Sequence, residues 1–300
     1  MLATKVGERV YLLDTMAMGQ VGTVGAFLIK GPKVTLVDCG YASSYQSVLD
    51  GLAEVGVAPS EVRYLIPTHV HLDHAGAAGR LLKEMPNAEV ITHERGAPHL
   101  IDPSKLIESS TRVFGNEIMS MYGLPEPIPA DRVTSVGKET HLDLGGGMGA
   151  TLVHAPGHAP HQISVLLDNP KALLTADAVG ITYPGMKTVI PTTPPPSFDP
   201  KLLVATVGEL GQMDPKSLLV PHFGARKDVD FVFDDTAAKV NEWVRTIGGM
   251  RNSKKGLDEI TEEMVARVAS DEGVESIPIY AQISVRTSVM GILRYLEKNA

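Results

Sequence analysis

Residues 68–76 read "THVHLDHAG", which places His69, His71, Asp73 and His74 within six positions of a chain that has ten histidines. The stretch ends the apolar run "VRYLIPT" (62–68), which reads as a short strand. In an extended or looped chain, alternate residues project the same way. His69, His71 and Asp73 are then expected in one row, with His74 turned aside. A single helix would not put residues 69 and 71 on one face. The pattern is therefore expected to form a loop after a strand, with its side chains splayed toward two neighbouring sites. Neutral imidazole and carboxylate are ligands that suit zinc and related divalent ions.

Composition narrows the function classes. The chain has 300 residues, 43% of them hydrophobic and 21% charged, as in ordinary globular proteins. Cys39 is the single cysteine, which rules out an intrachain disulfide and a multi-cysteine zinc site. Any metal must be held mainly by nitrogen and oxygen. The formal net charge of −8, with no long basic run, disfavours a general nucleic-acid binder. No apolar run approaches the roughly 20 residues of a membrane span. The N-terminus "MLATKVGERVYLLDT" lacks the pattern of a signal peptide. The expectation is a cytoplasmic protein with a small-molecule substrate and no nucleic-acid or membrane partner.

Along the chain, "RVYLLD" and "AFLIKGPKVTLVDCG" are rich in strand formers, with Gly31-Pro32 as a hairpin turn. Residues 44–55 carry apolar positions at helical spacing, and "GAAGRLLKEM" reads as a helix before the strand "AEVITH". Residues 94–130, helical around 104–121, are expected to form an insertion or lid. Strands return in "GATLVHAP", "QISVLLD" and "ALLTADA". Residues 183–200 hold six prolines and must be a long loop. Helices are expected over 234–247, 257–270 and 277–298. The last carries Ile283, Val285, Val289, Ile292, Leu293 and Leu296 at mostly helical spacing. It is read as packing on the rest of the chain, with homodimerisation as the alternative.

The H-x-H-x-D-H pattern after an apolar strand resembles the signature of the metallo-β-lactamase fold superfamily. Three downstream stretches extend the resemblance. "HAPGHAPHQIS" (154–164) is similar to the family's P-G-H element and nominates His158. "LLTADAV" resembles its strand-then-Asp element and nominates Asp177. "LLVPHFG" resembles its final strand-then-His element and nominates His222. The resemblance covers about residues 8–224. It implies an αββα sandwich as a catalytic domain over 1–224, with 225–300 as a helical extension packed on it. It further implies that His69, His71 and His158 bind one metal, that Asp73, His74 and His222 bind a second, and that Asp177 bridges them. Zinc is the first expectation, with manganese or iron also compatible. Asp38, in "LVDCG" (36–40), would orient ligand imidazoles.

The implied reaction is dinuclear hydrolysis of a small thioester, ester or lactone by a bridging hydroxide that Asp73 orients. The glyoxalase II-like and lactonase-like branches resemble the chain best. The quorum-type lactonases place a tyrosine three residues after the bridging aspartate. Here that position is Gly180, and Tyr183 is the pocket candidate. His93 and His99, in "THERGAPHL", are nominated as further pocket residues. His161 beside His158 is left between a supporting role and a loop role. An iron persulfide dioxygenase is the alternative. A phosphodiesterase or a metal-binding protein without activity ranks below both.

Overall fold

The computed structural model describes residues 1–299. β1 (Ala3–Lys5), β2 (Val10–Asp14), β3 (Gly25–Ile29) and β4 (Val34–Val37) form an antiparallel meander. α1 (Tyr45–Glu54) carries the chain across to β5 (Val62–Ile66), which pairs parallel to β4. There follow α2 (Leu72–Ala75), α3 (Ala78–Glu84), β6 (Glu89–His93), α4 (Ala97–Ile101), α5 (Ser104–Tyr122) and β7 (Val133–Val136). β6 and β7 add in parallel, giving a seven-stranded sheet in sequence order. The second sheet comprises β8 (Glu139–Gly145), β9 (Met148–His154), β10 (Ile163–Leu167) and β11 (Ala172–Leu174), all antiparallel neighbours. α6 (Pro200–Gln212) then leads to β12 (Ser217–Val220), parallel to β11, and β13 (Gly224–Arg226) closes that edge. α7 (Val229–Asn252), α8 (Leu257–Glu272) and α9 (Ile279–Lys298) complete the chain. No helix among the described residues is long and apolar enough to cross a membrane.

Strand periodicity explains the layers. Successive side chains on a strand point to opposite faces. Leu12, Phe27, Val37 and Ile66 of the first sheet meet Leu152, Val165, Leu174 and Leu219 of the second in one core. Their neighbours Leu13, Leu28, Leu36 and Leu65 face outward onto Val48, Leu52 and Leu81 of α1 and α3. On the far side, Leu166, Leu173 and Leu218 face Val207 and Leu210 of α6 and Val232 of α7. Both faces of both sheets are therefore covered, which is why the central strands read as unbroken apolar runs rather than alternations. The result is the expected αββα sandwich.

The helices expected from periodicity are present, but two details differ. α5 breaks at Gly115, which adopts φ 81°. β8, not among the expected strands, forms from "ETHLDLG", where Thr140, Leu142 and Leu144 alternate with exposed Glu139, His141 and Asp143; it is an edge strand paired to β9. The apolar stripe of α9 packs within the chain: Val285, Val289 and Ile292 are buried with Trp243 of α7 and Met264 of α8.

Candidate active site

Each sheet contains a parallel pair, β4–β5 and β11–β12, and the site forms where the C-terminal ends of these pairs converge. Asp38 follows β4, His69 and His71 follow β5, Asp177 follows β11, and His222 follows β12. Ligand sites sit at the carboxyl ends of parallel strands because the loops there diverge and leave a crevice. His158 enters from the β9–β10 loop. Gly157 before it adopts φ 128°, and a Cβ there would lie 2.4 Å from the Cα of Leu203 at the start of α6. Only glycine lets that loop approach the helix so closely. Asp199 caps α6, its carboxylate accepting from the backbone of Lys201 and Leu202.

The structure corrects the expected row of alternating ligands. The chain enters α2 at Leu72, with His71 as its N-cap. Each helical residue rotates about 100° from the last. Asp73 consequently leaves the side of His69 and His71 and joins His74. The donor atoms of His69, His71 and His158 lie within 4.8 Å of one another, as do those of Asp73, His74 and His222, and those of His69, His74 and Asp177. Asp177 lies between the groups. Its Oδ2 is 3.5 Å from His158 Nε2, whereas its Oδ1 is 3.3 Å from His74 Nε2 and 3.5 Å from His222 Nε2.

The far nitrogens of these rings are anchored. His158 Nδ1 donates to the Thr192 carbonyl at 3.0 Å, His222 Nδ1 to the Thr23 carbonyl at 2.8 Å, and His74 Nδ1 to Asp38 Oδ2 at 2.9 Å. His69 Nδ1 lies 3.1 Å from the Thr68 hydroxyl. With the proton on Nδ1, each of the first three rings turns a lone pair on Nε2 into the site. Asp38 also accepts from the Thr68 amide at 2.8 Å and adopts φ 60°. Ala176, before Asp177, is likewise left-handed at φ 49°. Such strain persists where the surroundings over-determine the backbone.

This arrangement fits a cation and little else. His71 Nδ1 is 2.9 Å from both His69 Nε2 and His158 Nε2. One ring proton cannot satisfy both contacts while His158 Nε2 carries a lone pair. His74 Nε2 and Asp177 Oδ1 are buried with no hydrogen-bond partner. Burial pushes the His69 and His71 imidazoles well below their ordinary range, and neighbouring imidazoles add to it, so both stay neutral. Burial pushes Asp177 up, but His74, His222 and His158 outweigh it and hold the carboxylate ionised. Neutral nitrogens and ionised carboxylates are what a divalent cation requires.

A cavity of about 640 Å³ opens over these groups. His71, Asp73, His158, Asp177 and His222 form its floor. Tyr183 and His99 line it as expected. His93 does not: it lies behind the wall, stacked on His154 with ring centroids 4.1 Å apart. Leu106, Val113 and Phe114 of α5 and Tyr280, Ile283 and Ser284 of α9 also line the cavity. Tyr183 donates to or accepts from Ser284 Oγ at 2.8 Å. Tyr41 and Tyr122, stacked with centroids 4.1 Å apart, also line the space. Sequence reasoning missed this tyrosine pair and the α9 residues. Tyr41 stands three positions after Asp38 and was open to discovery. The Thr23 and Thr192 carbonyls were not, because any residue type supplies a carbonyl. Cys39 is a buried thiol donating to the His74 carbonyl at 3.1 Å, as expected of a structural cysteine.

Comparison with known proteins agrees with the fold. Residues 20–222 match the family model described as the metallo-beta-lactamase superfamily. The metallo-beta-lactamase fold-containing protein ST1585 of Sulfurisphaera tokodaii is 32% identical over 211 residues, 68% of this chain and 74% of that protein. Its crystal structure superposes with a TM-score of 0.64 over 92% of this chain and 93% of that chain, at 24% identity. TTHA1429 of Thermus thermophilus, described as a metallo-beta-lactamase family protein, gives a TM-score of 0.73 at 20% identity, covering 97% of this chain and 94% of that chain. The N-acyl homoserine lactonase AttM of Azorhizobium caulinodans is 32% identical over 131 residues, 41% of this chain and 44% of that protein. With a family model spanning residues 20–222 and a relative 32% identical over 68% of the chain, the chain belongs to the metallo-beta-lactamase superfamily.

Proposed function

We propose that the protein is a metal-dependent hydrolase of a small ester-like bond in a thioester, ester or lactone. The observation that carries this reading is Asp177, whose two carboxylate oxygens face separate donor groups on the floor of a cavity. His69, His71 and His158 would hold one divalent ion, Asp73, His74 and His222 a second, and Asp177 both. Ions so held supply Lewis acidity and a nucleophile from water at neutral pH. The partial match to AttM favours a lactone or ester among these substrates.

The chain's own residues would do the rest. Asp73 keeps 23% of its side chain exposed, against 5% for Asp177, so its carboxylate can reach an incoming water. Its Oδ2 lies 3.4 Å from His222 Nε2 and 3.6 Å from His74 Nε2. Burial pushes Asp73 up, but those imidazoles outweigh it and keep it ionised. It is thus placed to orient a water and take its proton. Leu106, Val113 and Phe114 of α5 and Ile283 of α9 offer apolar contacts to seat the carbon skeleton of the substrate. In the overall reaction, water adds to the carbonyl carbon, the C–O or C–S bond breaks, and the proton leaves with the alcohol or thiol.

The test pairs elemental analysis of the purified protein with a screen of thioesters, lactones, phosphodiesters and persulfide. About two zinc or manganese ions per chain, with turnover of an ester-type bond, support the reading. About one iron per chain, with oxygen uptake on persulfide, overturns it in favour of a dioxygenase.

A further inference from the structure

His161 stands out among the residues that the site's donor groups leave unused. It lies on the cavity wall three positions after His158, 9% exposed, and no element packed around it satisfies its Nδ1. Buried nitrogens without a partner are rare in folded proteins and call for an explanation. The neighbouring histidines do have partners: His154 Nε2 donates to the Pro160 carbonyl at 3.0 Å, and His93 Nδ1 accepts from the Arg95 amide at 3.1 Å. His161 is held by packing alone. Its ring lies parallel to that of His69 at 6.3 Å between centroids and edge-on to that of His71 at 6.1 Å. Across the cavity wall His99 stands 6.3 Å away.

The tautomer follows from this burial. An N–H sealed from any acceptor is the rarer orphan, so the ring proton belongs on Nε2. Nε2 is not sealed in the same way, and the residue lines the cavity. We propose that His161 is a substrate-binding residue whose Nε2–H donates a hydrogen bond to the carbonyl oxygen of an acyl substrate. The bond would form beside the His69–His71–His158 group, with the carbon chain of the acyl group lying between α5 and α9. This assignment rests on the hydrolase reading for its substrate class. The imidazole is a donor only; no proton leaves it. The partner missing from the folded protein is supplied by the ligand.

The test uses the metal-loaded full chain and compares wild type with His161→Phe and His161→Gln. Phenylalanine keeps the ring and removes both nitrogens, so the unfolding temperature should hold or rise, because an unpaired buried nitrogen is lost. Metal content should equal that of wild type. On an acyl ester or lactone that the protein turns over, kcat/KM of His161→Phe should fall roughly 10- to 100-fold. His161→Gln, which retains an N–H donor, should recover part of the loss. Unchanged kcat/KM in His161→Phe, or a loss accompanied by metal release, overturns the proposal. Equilibrium binding of N-methylhexanamide, an unreactive carbonyl probe, keeps the two readings apart. If wild type hydrolyses no ester-like bond yet binds this probe about 10-fold more tightly than His161→Phe does, the hydrolase reading fails and the His161 assignment stands. Equal binding by the two proteins refutes the assignment.

Discussion

Asp38→Asn tests the orientation of the second donor group with little change in shape. The Asp38 carboxylate accepts from the Thr68 amide at 2.8 Å and from His74 Nδ1 at 2.9 Å, and it is 2% exposed. Asparagine tolerates the left-handed backbone that this position requires about as well as aspartate does, so strain is not added. Its Oδ1 can still accept from Thr68. Its amide nitrogen then faces His74 Nδ1, donor against donor. Losing one charge-assisted bond and leaving a buried donor unpaired costs about 2–4 kcal/mol. The ring can relieve the clash by moving its proton to Nε2, but that consumes the lone pair facing Asp177. Metal affinity should then fall by about 10- to 100-fold, the usual effect of removing such a partner. That factor corresponds to about 1.4–2.8 kcal/mol, which overlaps the lower part of the cost expected from the lost bond. The assay is chelator competition read by elemental analysis, with thermal unfolding of the metal-free protein as control. Wild-type metal affinity at an unchanged unfolding temperature would refute the reasoning that Asp38 selects the His74 tautomer.

Asp177→Ala should abolish activity and lower metal content, because both donor groups lose their shared carboxylate; full metal and rate in this variant would remove Asp177 from its bridging place. Gly291→Ala probes how α9 supports the site. A Cβ at Gly291 would fall 1.7 Å from the Thr193 carbonyl oxygen, next to Thr192, whose carbonyl anchors His158 and whose hydroxyl donates to the Asp177 carbonyl at 2.9 Å. Backbone cannot yield cheaply there, so a loss of about 3 kcal/mol or more is expected, with weaker metal retention; unchanged unfolding and metal content would mean that α9 is not coupled to the site. Glu272 of α8 accepts from the amides of Lys187 and Thr188, at 2.9 and 2.7 Å. Burial pushes Glu272 up, but these bonds outweigh it and lower its pKa. Its stabilising contribution is thus complete above the ordinary glutamate range near about 4.3 and is lost as pH falls through the lowered folded value. Glu272→Gln should therefore unfold below wild type at neutral pH, and the gap should close on acidification; a gap independent of pH would contradict this.

Much of the fold was legible because apolar periodicity and turn residues are local. "VRYLIPT" became β5, the Gly31-Pro32 turn joined β3 to β4, and the proline-rich stretch became the loop before α6, with Pro200 as its first helical residue. The edge strand β8 was easily overlooked, because its alternation of Thr140, Leu142 and Leu144 with Glu139, His141 and Asp143 is short and only weakly apolar. The donor residues were nominated by type and by position after strands. Their division into groups, which the resemblance implied, is set by the chain entering α2 at Leu72, which turns Asp73 away from the row of His69 and His71 and toward His74.

By itself the sequence determined the chemical types available: five imidazoles and two carboxylates at strand ends, one cysteine, and no basic run. Tertiary structure alone decided which ring nitrogen faces inward, because that choice belongs to the Thr23 and Thr192 carbonyls and to Asp38, which are distant in sequence from the rings they hold. It also decided what forms the cavity wall. Tyr183, Ser284 and Ser288 meet only because α9 folds back on the proline-rich loop, where Ser288 donates to the Pro191 carbonyl at 2.6 Å. Local pattern reports propensity and burial. Contacts between residues a hundred positions apart are settled by packing, and the site's walls and its tautomers are made of such contacts.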